Sequence, residues 1–92
     1  MKINLAIIGA GRIGHVHAET INKNINANLI YIYDTNISVA NKFASKFCCK
    51  IADINSIKND KNIDAVVICS PTNTHIDLIK NFSEAKKAIF CE

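Results

Sequence analysis

The sequence lacks the features that mark membrane-spanning, exported or metal-binding chains. No apolar run approaches the length of a membrane span, and no signal peptide is visible, because Gly9 ends the first apolar stretch. The four cysteines form no CxxC pair, and no histidine stands at metal-ligand spacing from two of them. We therefore predict no membrane partner, no metal site and reduced thiols in a cytoplasmic protein.

Basic residues are scattered along the chain, although the net charge is +3. Lys42, Lys46 and Lys50 come nearest to a stripe. A nucleic-acid-binding face would need a denser basic patch interleaved with aromatic side chains. We interpret these lysines as a solvated helix face and predict no nucleic-acid partner.

Short β-branched runs alternate with stretches of helical periodicity along the 92 residues, which leave room for one domain. The predicted strands cover 3–8, 29–33, 50–52, 65–69 and 88–91, and the predicted helices cover 12–23, 37–47, 54–58 and 74–86. The fully apolar fourth strand is expected inside the sheet, and the short third strand at an edge. Connections of helix length imply right-handed crossovers. The predicted fold is α/β: a doubly wound, Rossmann-like parallel sheet of about five strands, incomplete, with helices on both faces.

Apolar spacing predicts which helical side chains face the core, and residue type predicts the caps. In the second helix, which we expect Asn36 or Ser38 to cap, the apolar stripe comprises Val39, Ala40, Phe43, Ala44 and Phe47. In the last helix, Ile76, Ile79 and Phe82 are expected to point inward, with Leu78 at the margin. Cys69 and Cys91 lie in apolar runs and are expected to behave as small hydrophobes.

A glycine-rich segment, GAGRIG at 9–14, follows the first predicted strand and opens the first helix. In this context the GxGxxG spacing predicts a phosphate-binding loop. Gly9 would permit the tight turn, Gly11 would let the backbone approach a pyrophosphate, and Gly14 would let the helix pack closely on the strand. The helix N-terminus would favour the phosphate charge. The alternative is a strand–helix turn that binds nothing.

An acidic residue, Asp34, stands at the carboxyl end of the second predicted strand. A carboxylate there accepts hydrogen bonds from the adenosine ribose hydroxyls and repels a 2′-phosphate, which predicts NAD in preference to NADP. Neither Thr35 nor Asn36 supplies the cation that a 2′-phosphate would require. Asp34 could instead stabilise a turn or cap a helix, and both roles can coexist.

A second polar loop, residues 70–73, follows the fourth predicted strand. In a doubly wound sheet this strand lies beside the first, so the loop would face the glycine loop across a crevice. Ser70, Thr72 and Asn73 are therefore candidates for bonding to the cofactor. Helix capping by Thr72, Asn73 or Thr74 is an equally good interpretation.

Three segments, AIIGAGRIGHVHAE, DAVVICSPTNTHIDLI and IFCE in this order, resemble the Gfo/Idh/MocA oxidoreductases, and most of all the inositol dehydrogenases among them. The resemblance covers essentially the whole chain. It implies that Arg12 and Ile13 contact the cofactor pyrophosphate through their backbone and that Asp34 holds the adenosine ribose.

His15 and His17 lie two residues apart on one predicted helix, so their side chains point to different faces and make a poor metal pair. His17 is expected to be a packing residue.

The same resemblance implies that Ser70, Thr72 and Asn73 line the cofactor crevice and that His75 begins a helix beneath the nicotinamide side. Glu92 would be the first residue of a Glu-Lys-Pro motif whose lysine serves in proton transfer in the family. The sequence ends at Glu92, so that lysine is not in it. Neither is the domain that carries the family's acid–base residues and binds substrate.

Residues 1–92 are therefore expected to be the N-terminal part of a dinucleotide-binding domain, without a catalytic residue and without the substrate domain. The predicted function is the NAD-binding portion of an oxidoreductase that, in intact relatives, oxidises a CH–OH group of a sugar or polyol. The alternatives are a non-catalytic nucleotide-binding module and a truncated remnant without function.

Two further expectations concern the last strand and the helix before it. An open fifth strand predicts self-association, hence a homo-oligomer, and Lys86, where the family usually has glycine, predicts a weakened helix end.

Overall fold

The structure, a computed structural model, describes residues 2–92. The strands are β1 (Ile3–Ile8), β2 (Ala27–Tyr33), β3 (Lys50–Ile51), β4 (Ala65–Ile68) and β5 (Ala88–Cys91). The helices are α1 (Arg12–Asn22), α2 (Ile37–Phe47), α3 (Ile54–Asn59) and α4 (His75–Glu84), with a 3₁₀ turn at Thr72–Thr74. All strand pairs are parallel, in the order β3-β2-β1-β4-β5. The chain thus winds outward from β1 in both directions, which confirms the predicted doubly wound α/β fold.

The core consists of two apolar layers, one on each face of the sheet. Leu5 and Ile7 of β1 pack with α1 and α2, whereas Ala6 and Ile8 pack with the layer that contains Phe82 of α4. Alternate residues point to opposite faces of a strand, so a strand buried on both sides must be apolar throughout. This explains why β1 and β4, which are neighbours inside the sheet, carry nearly unbroken apolar sequences.

Helix α4 is rotated relative to the sequence prediction. Phe82 is fully buried and Leu78 packs against the same layer, but Ile76 is 81% exposed and Ile79 is 38% exposed. An α-helix advances about 100° per residue, so positions four apart stay on one face while successive steps of three drift away from it. The prediction is therefore confirmed for Phe82 and wrong for Ile76 and Ile79, and Leu78, expected at the margin, packs in the same layer as Phe82.

Two smaller corrections concern exposure. In α2, Ala40, Phe43 and Phe47 are buried as predicted, but Val39 is 36% exposed. Cys91 is exposed and not packed as a small hydrophobe, because β5 is an edge strand. No helix within residues 2–92 combines the length and apolarity that a membrane crossing requires.

Side chains cap the start of two helices, and Asn36 is one of the two caps expected for α2. Asn36 Oδ1 accepts the Val39 N–H at 3.2 Å at the start of α2, and Asp53 Oδ1 accepts the Ser56 N–H at 2.7 Å at the start of α3. The Ser56 hydrogen bonds stabilise the carboxylate form of Asp53 and lower its pKa. These caps fix where the two helices begin relative to the strands that precede them.

The end of α4 is a Schellman motif closed by a residue other than glycine. The Lys87 N–H donates to the Phe82 carbonyl at 3.1 Å, and the Lys86 N–H donates to the Ser83 carbonyl at 3.0 Å. Lys86 adopts the left-handed conformation with φ of 59°. The predicted weakness at this helix end thus has a structural basis, since a side chain in this conformation is unfavourable.

Replacing Lys86 by glycine is expected to raise the free energy of unfolding by about 1 kcal/mol, because glycine adopts positive φ without the steric cost of a Cβ atom. The same change at Lys80, an exposed position inside α4, is the matched control and is expected to lower it by about 1 kcal/mol. Urea denaturation of the two variants checks both values. Destabilisation by both substitutions would contradict the strain assigned to Lys86.

The sheet face that carries α1 and α2 is open over β4 and β5. Phe90 is 61% exposed there, and a groove of about 840 Å³ runs along Leu5, Ile21, Ala65 and Ala88. Exposed apolar surface beside a free strand edge favours association between copies of a chain.

We therefore expect the chain to self-associate at micromolar concentration in sedimentation velocity. Phe90→Lys should shift it toward the monomer, because it places a charge on the open face. Ile76→Lys is the control, since Ile76 is 81% exposed but lies on α4. A parent chain that sediments as a single monomeric species would contradict this expectation.

Candidate functional site

A crevice of about 430 Å³ opens at the carboxyl ends of β1 and β4, where the winding of the sheet reverses direction. Ligands of doubly wound proteins bind at such a point. Its lining consists of Gly9, Gly11, Asp34, Thr35, Cys69, Ser70, Pro71, Asn73 and Thr74. Five residues predicted from the sequence are among them: Gly9, Gly11, Asp34, Ser70 and Asn73. The other four lining residues, Thr35, Cys69, Pro71 and Thr74, were not predicted as site residues, although Cys69 and Pro71 directly adjoin Ser70 and Thr35 adjoins Asp34.

Two of the three glycines are required by the protein itself. Gly9 has φ of +108°, and a Cβ atom there would lie 2.7 Å from the Cys69 carbonyl carbon and from the Ser70 nitrogen. A Cβ atom on Gly14 would overlap the Gly9 carbonyl oxygen. These positions must therefore be glycine for β1, α1 and β4 to approach each other as they do.

Gly11 is different, because nothing in the protein requires a glycine there. Its φ of −81° and ψ of −165° are available to any residue, and an added Cβ atom would meet no atom of residues 2–92 within 4 Å apart from those of its two chain neighbours. Gly11 instead faces the open crevice. The missing side chain leaves room for a group that approaches the backbone from outside the protein.

Helix α1 begins at this point and presents its N-terminus to the crevice. Within residues 2–92 no side chain caps this helix. The N–H groups of Arg12 and Ile13 belong to its first turn, where an α-helix has no internal acceptors, and both side chains are exposed. The helix dipole adds positive potential at this end. The loop therefore fits a pyrophosphate, with room above Gly11 and donors beside it.

Asp34 connects the glycine loop to the end of β2. Its Oδ2 accepts the Ala10 N–H at 2.8 Å, and its Oδ1 accepts the Asn36 N–H at 2.8 Å. The turn role considered from the sequence is thus present, together with a contact to the loop that the sequence did not reveal. Asp34 is only partly buried, and each carboxylate oxygen has a second acceptor site that remains for a ligand hydroxyl.

A second depression, of about 470 Å³, meets the crevice at Asp34. Its other lining residues are Tyr31, Tyr33, Ile37, Ile51, Ala52, Asp53 and Ser56. Asp34 lines both depressions, so a ligand that extended from the glycine loop toward the end of β3 would pass its carboxylate.

The loop after β4 has a fixed hydroxyl arrangement. Thr74 Oγ1 donates to the Pro71 carbonyl at 2.6 Å, and Ser70 Oγ lies 2.7 Å from Thr74 Oγ1. Since Thr74 has only one hydroxyl proton, Ser70 must be the donor to Thr74. Ser70 therefore offers the crevice only acceptor sites. Capping by Thr72, Asn73 or Thr74 does not occur within residues 2–92, where no side chain caps α4.

Six predicted residues lie outside the lining of the crevice: Arg12, Ile13 and Gly14 of α1, together with Thr72, His75 and Glu92. Thr72 is exposed in the 3₁₀ turn. His75 begins α4, as expected, and its Nε2 lies 2.8 Å from the Ser70 carbonyl oxygen, behind the loop. Glu92 extends the pairing of β5, with its N–H bonded to the Ile68 carbonyl at 3.0 Å, and its Oε1 lies 3.3 Å from His17 Nε2.

Comparison with known proteins identifies the family of the chain. The model of the Gfo/Idh/MocA oxidoreductase family, described as an NAD-binding Rossmann fold, matches residues 3–92. An inositol 2-dehydrogenase of Rhizobium meliloti is 45% identical over all of this chain and 28% of the relative's length. The crystal structure of a putative myo-inositol dehydrogenase from Sinorhizobium meliloti is 43% identical and superposes with a TM-score of 0.95, covering 98% of this chain and 27% of that one.

A third relative has ligands in its structure. The scyllo-inositol dehydrogenase of Lactobacillus casei, crystallised with NAD(H) and scyllo-inositol, is 26% identical with a TM-score of 0.87, over 99% of this chain and 28% of that one. The chain therefore spans little more than a quarter of the relatives it matches. Because the family model matches nearly every residue, the resemblance seen in the sequence is confirmed: this chain belongs to the Gfo/Idh/MocA family of oxidoreductases, as its NAD-binding Rossmann-fold portion.

Proposed function

We propose that this chain binds NAD and is the cofactor-binding portion of an oxidoreductase that oxidises a CH–OH group of a polyol, with inositol the best candidate. The observation that carries the cofactor site is Gly11, whose missing side chain serves no purpose inside the protein. Inositol is supported by two of the relatives, an inositol 2-dehydrogenase and a scyllo-inositol dehydrogenase. This chain spans about 28% of the length of each. NAD supplies the acceptor for the hydride that leaves the carbinol carbon.

Each part of the crevice has a separate task in this proposal. The N–H groups of Arg12 and Ile13 hold the pyrophosphate, and Asp34 accepts hydrogen bonds from the adenosine ribose. Ser70 offers acceptors, and Asn73 offers both donors and acceptors, on the opposite wall. These groups bind and orient the cofactor, whereas proton transfer and substrate binding depend on parts of the relatives that this chain does not span.

The carboxylate of Asp34 also gives a preference for NAD over NADP. A 2′-phosphate on the adenosine ribose would lie beside this negative charge, and neither Thr35 nor Asn36 provides a compensating cation. The thiols of all four cysteines are free, which is compatible with the cytoplasmic location expected from the sequence.

Gly11→Ala is expected to weaken NAD binding roughly tenfold or more while changing the free energy of unfolding by less than about 1 kcal/mol. The added methyl group occupies the space above the loop without touching the protein. Gly14→Ala is the contrasting variant: it should cost about 1–3 kcal/mol of stability, because its methyl group overlaps the Gly9 carbonyl. Calorimetric titration with NAD and urea denaturation measure the two quantities. A folded Gly11→Ala variant with parental affinity would contradict the cofactor site.

Asp34→Asn is expected to reduce the preference for NAD over NADP by roughly tenfold, about 1.4 kcal/mol, because it removes the repulsion between a 2′-phosphate and a carboxylate that is only partly buried. Asparagine keeps the size of the side chain but removes the charge, and its single acceptor oxygen can hold only one of the two N–H groups, of Ala10 and Asn36, that the carboxylate holds. Asp34→Ala removes both of these bonds, so it should weaken the binding of both cofactors further. Competition titrations with both cofactors check this, and equal affinities in the parent chain would overturn the assigned preference.

Activity is tested in a chimera, because this chain spans only part of its relatives. Residues 1–92 replace the matching segment of the Rhizobium meliloti inositol 2-dehydrogenase, which is 45% identical. We expect the chimera to reduce NAD when myo-inositol is added. A folded chimera that binds NAD without turnover would instead favour a non-catalytic nucleotide-binding module, and a chain that does not fold would favour a remnant.

A further inference from the structure

A cysteine and a histidine from different elements meet at the carboxyl end of β5, outside the lining of the crevice. Cys91 Sγ lies 3.2 Å from His75 Nδ1, and Cys91 is exposed. His75 is the first residue of α4, so the contact is made by the tertiary structure. The cofactor site described above does not use this thiol.

The second nitrogen of the imidazole fixes its orientation and its tautomer. His75 Nε2 lies 2.8 Å from the Ser70 carbonyl oxygen, which can only accept a hydrogen bond. Nε2 therefore carries a hydrogen, and in the neutral ring Nδ1 carries the lone pair. This lone pair faces Cys91 Sγ, so the thiol donates its S–H to Nδ1. Nucleophile, base and orienting group thus stand in the order that activates a nucleophile.

The other cysteines have different surroundings. Cys49 and Cys69 are half-buried, and burial raises the pKa of each thiol to about 11. Cys48 is exposed like Cys91, but among residues 2–92 no side chain is hydrogen-bonded to its sulfur. The chain therefore contains two exposed thiols, of which only Cys91 contacts an imidazole. The carboxylate of the neighbouring Glu92 lies 3.3 Å from His17 Nε2.

We propose that Cys91 is a covalent modification site for soft carbon electrophiles, with His75 as the base that takes the thiol proton. The sulfur forms an S–C bond as the bond between carbon and its leaving group breaks, and the leaving group departs with that electron pair. The thiol proton moves to His75 Nδ1. The resulting imidazolium keeps its Nε2–H bond to the Ser70 carbonyl, which stabilises the charged ring.

Competitive labelling by iodoacetamide tests the proposal. The folded chain is exposed briefly to limiting reagent, quenched, digested with trypsin and analysed by mass spectrometry. Cleavage after Lys87 isolates Cys91 in the peptide 88–92, and fragmentation distinguishes Cys48 from Cys49. We expect Cys91 to react roughly tenfold faster than Cys48, a modest value for general-base assistance, which typically contributes about 10²–10⁴-fold.

Two comparisons separate the role of His75 from mere exposure. His75→Gln should slow Cys91 to the rate of Cys48 without changing Cys48, because glutamine cannot take the proton. His17→Gln, which alters the partner of Glu92 at the same strand end, should leave Cys91 fast.

Unfolding in concentrated urea should abolish the difference between Cys91 and Cys48 in the parent chain. If the His75 variant does not fold, this comparison alone shows whether the fast reaction of Cys91 depends on the folded structure. Equal rates of the two thiols in the folded parent, or a fast Cys91 that persists in urea or in folded His75→Gln, would overturn the proposal.

Discussion

The close approach of α1 to the end of β1 is the constraint on which the rest of the structure depends. Gly14 lies directly against the Gly9 carbonyl, where a single methyl group would not fit. This contact brings the N-terminus of α1 to the edge of the sheet and leaves its first N–H groups facing the crevice. The same turn places Gly9 against the backbone at Cys69 and Ser70, so the two loops are built around one another.

Asp34 extends this arrangement to the second strand. Its carboxylate holds the Ala10 N–H and the Asn36 N–H, and it stands where the two ligand-sized depressions meet. A group with two bonds to the backbone is already oriented before any ligand arrives, so little side-chain entropy remains to be lost on binding. Structural support and recognition are therefore combined in one side chain.

The difference between predicted and observed burial follows from how helices pack. Each residue turns a helix by about 100°, so a stripe read from residue types alone leaves the direction of the sheet undetermined. In α4 the sequence offers Ile76, Ile79, Leu78 and Phe82, and packing against the sheet selects the last two. In β1 and β4 this ambiguity does not arise, because strands buried on both faces must be apolar throughout.

The sequence by itself determined the order and type of the elements, the doubly wound topology, the glycine loop, the position of Asp34 and the family. These follow from local periodicity, turn chemistry and motif spacing, which are properties of contiguous residues. Only the tertiary structure decided that Asp34 holds Ala10, that His75 contacts Cys91, that Thr72, His75 and Glu92 lie outside the crevice, and that one sheet face stays open over β5. The physical reason is that these contacts join elements distant in sequence, and their geometry depends on strand register and helix rotation, which no local pattern specifies.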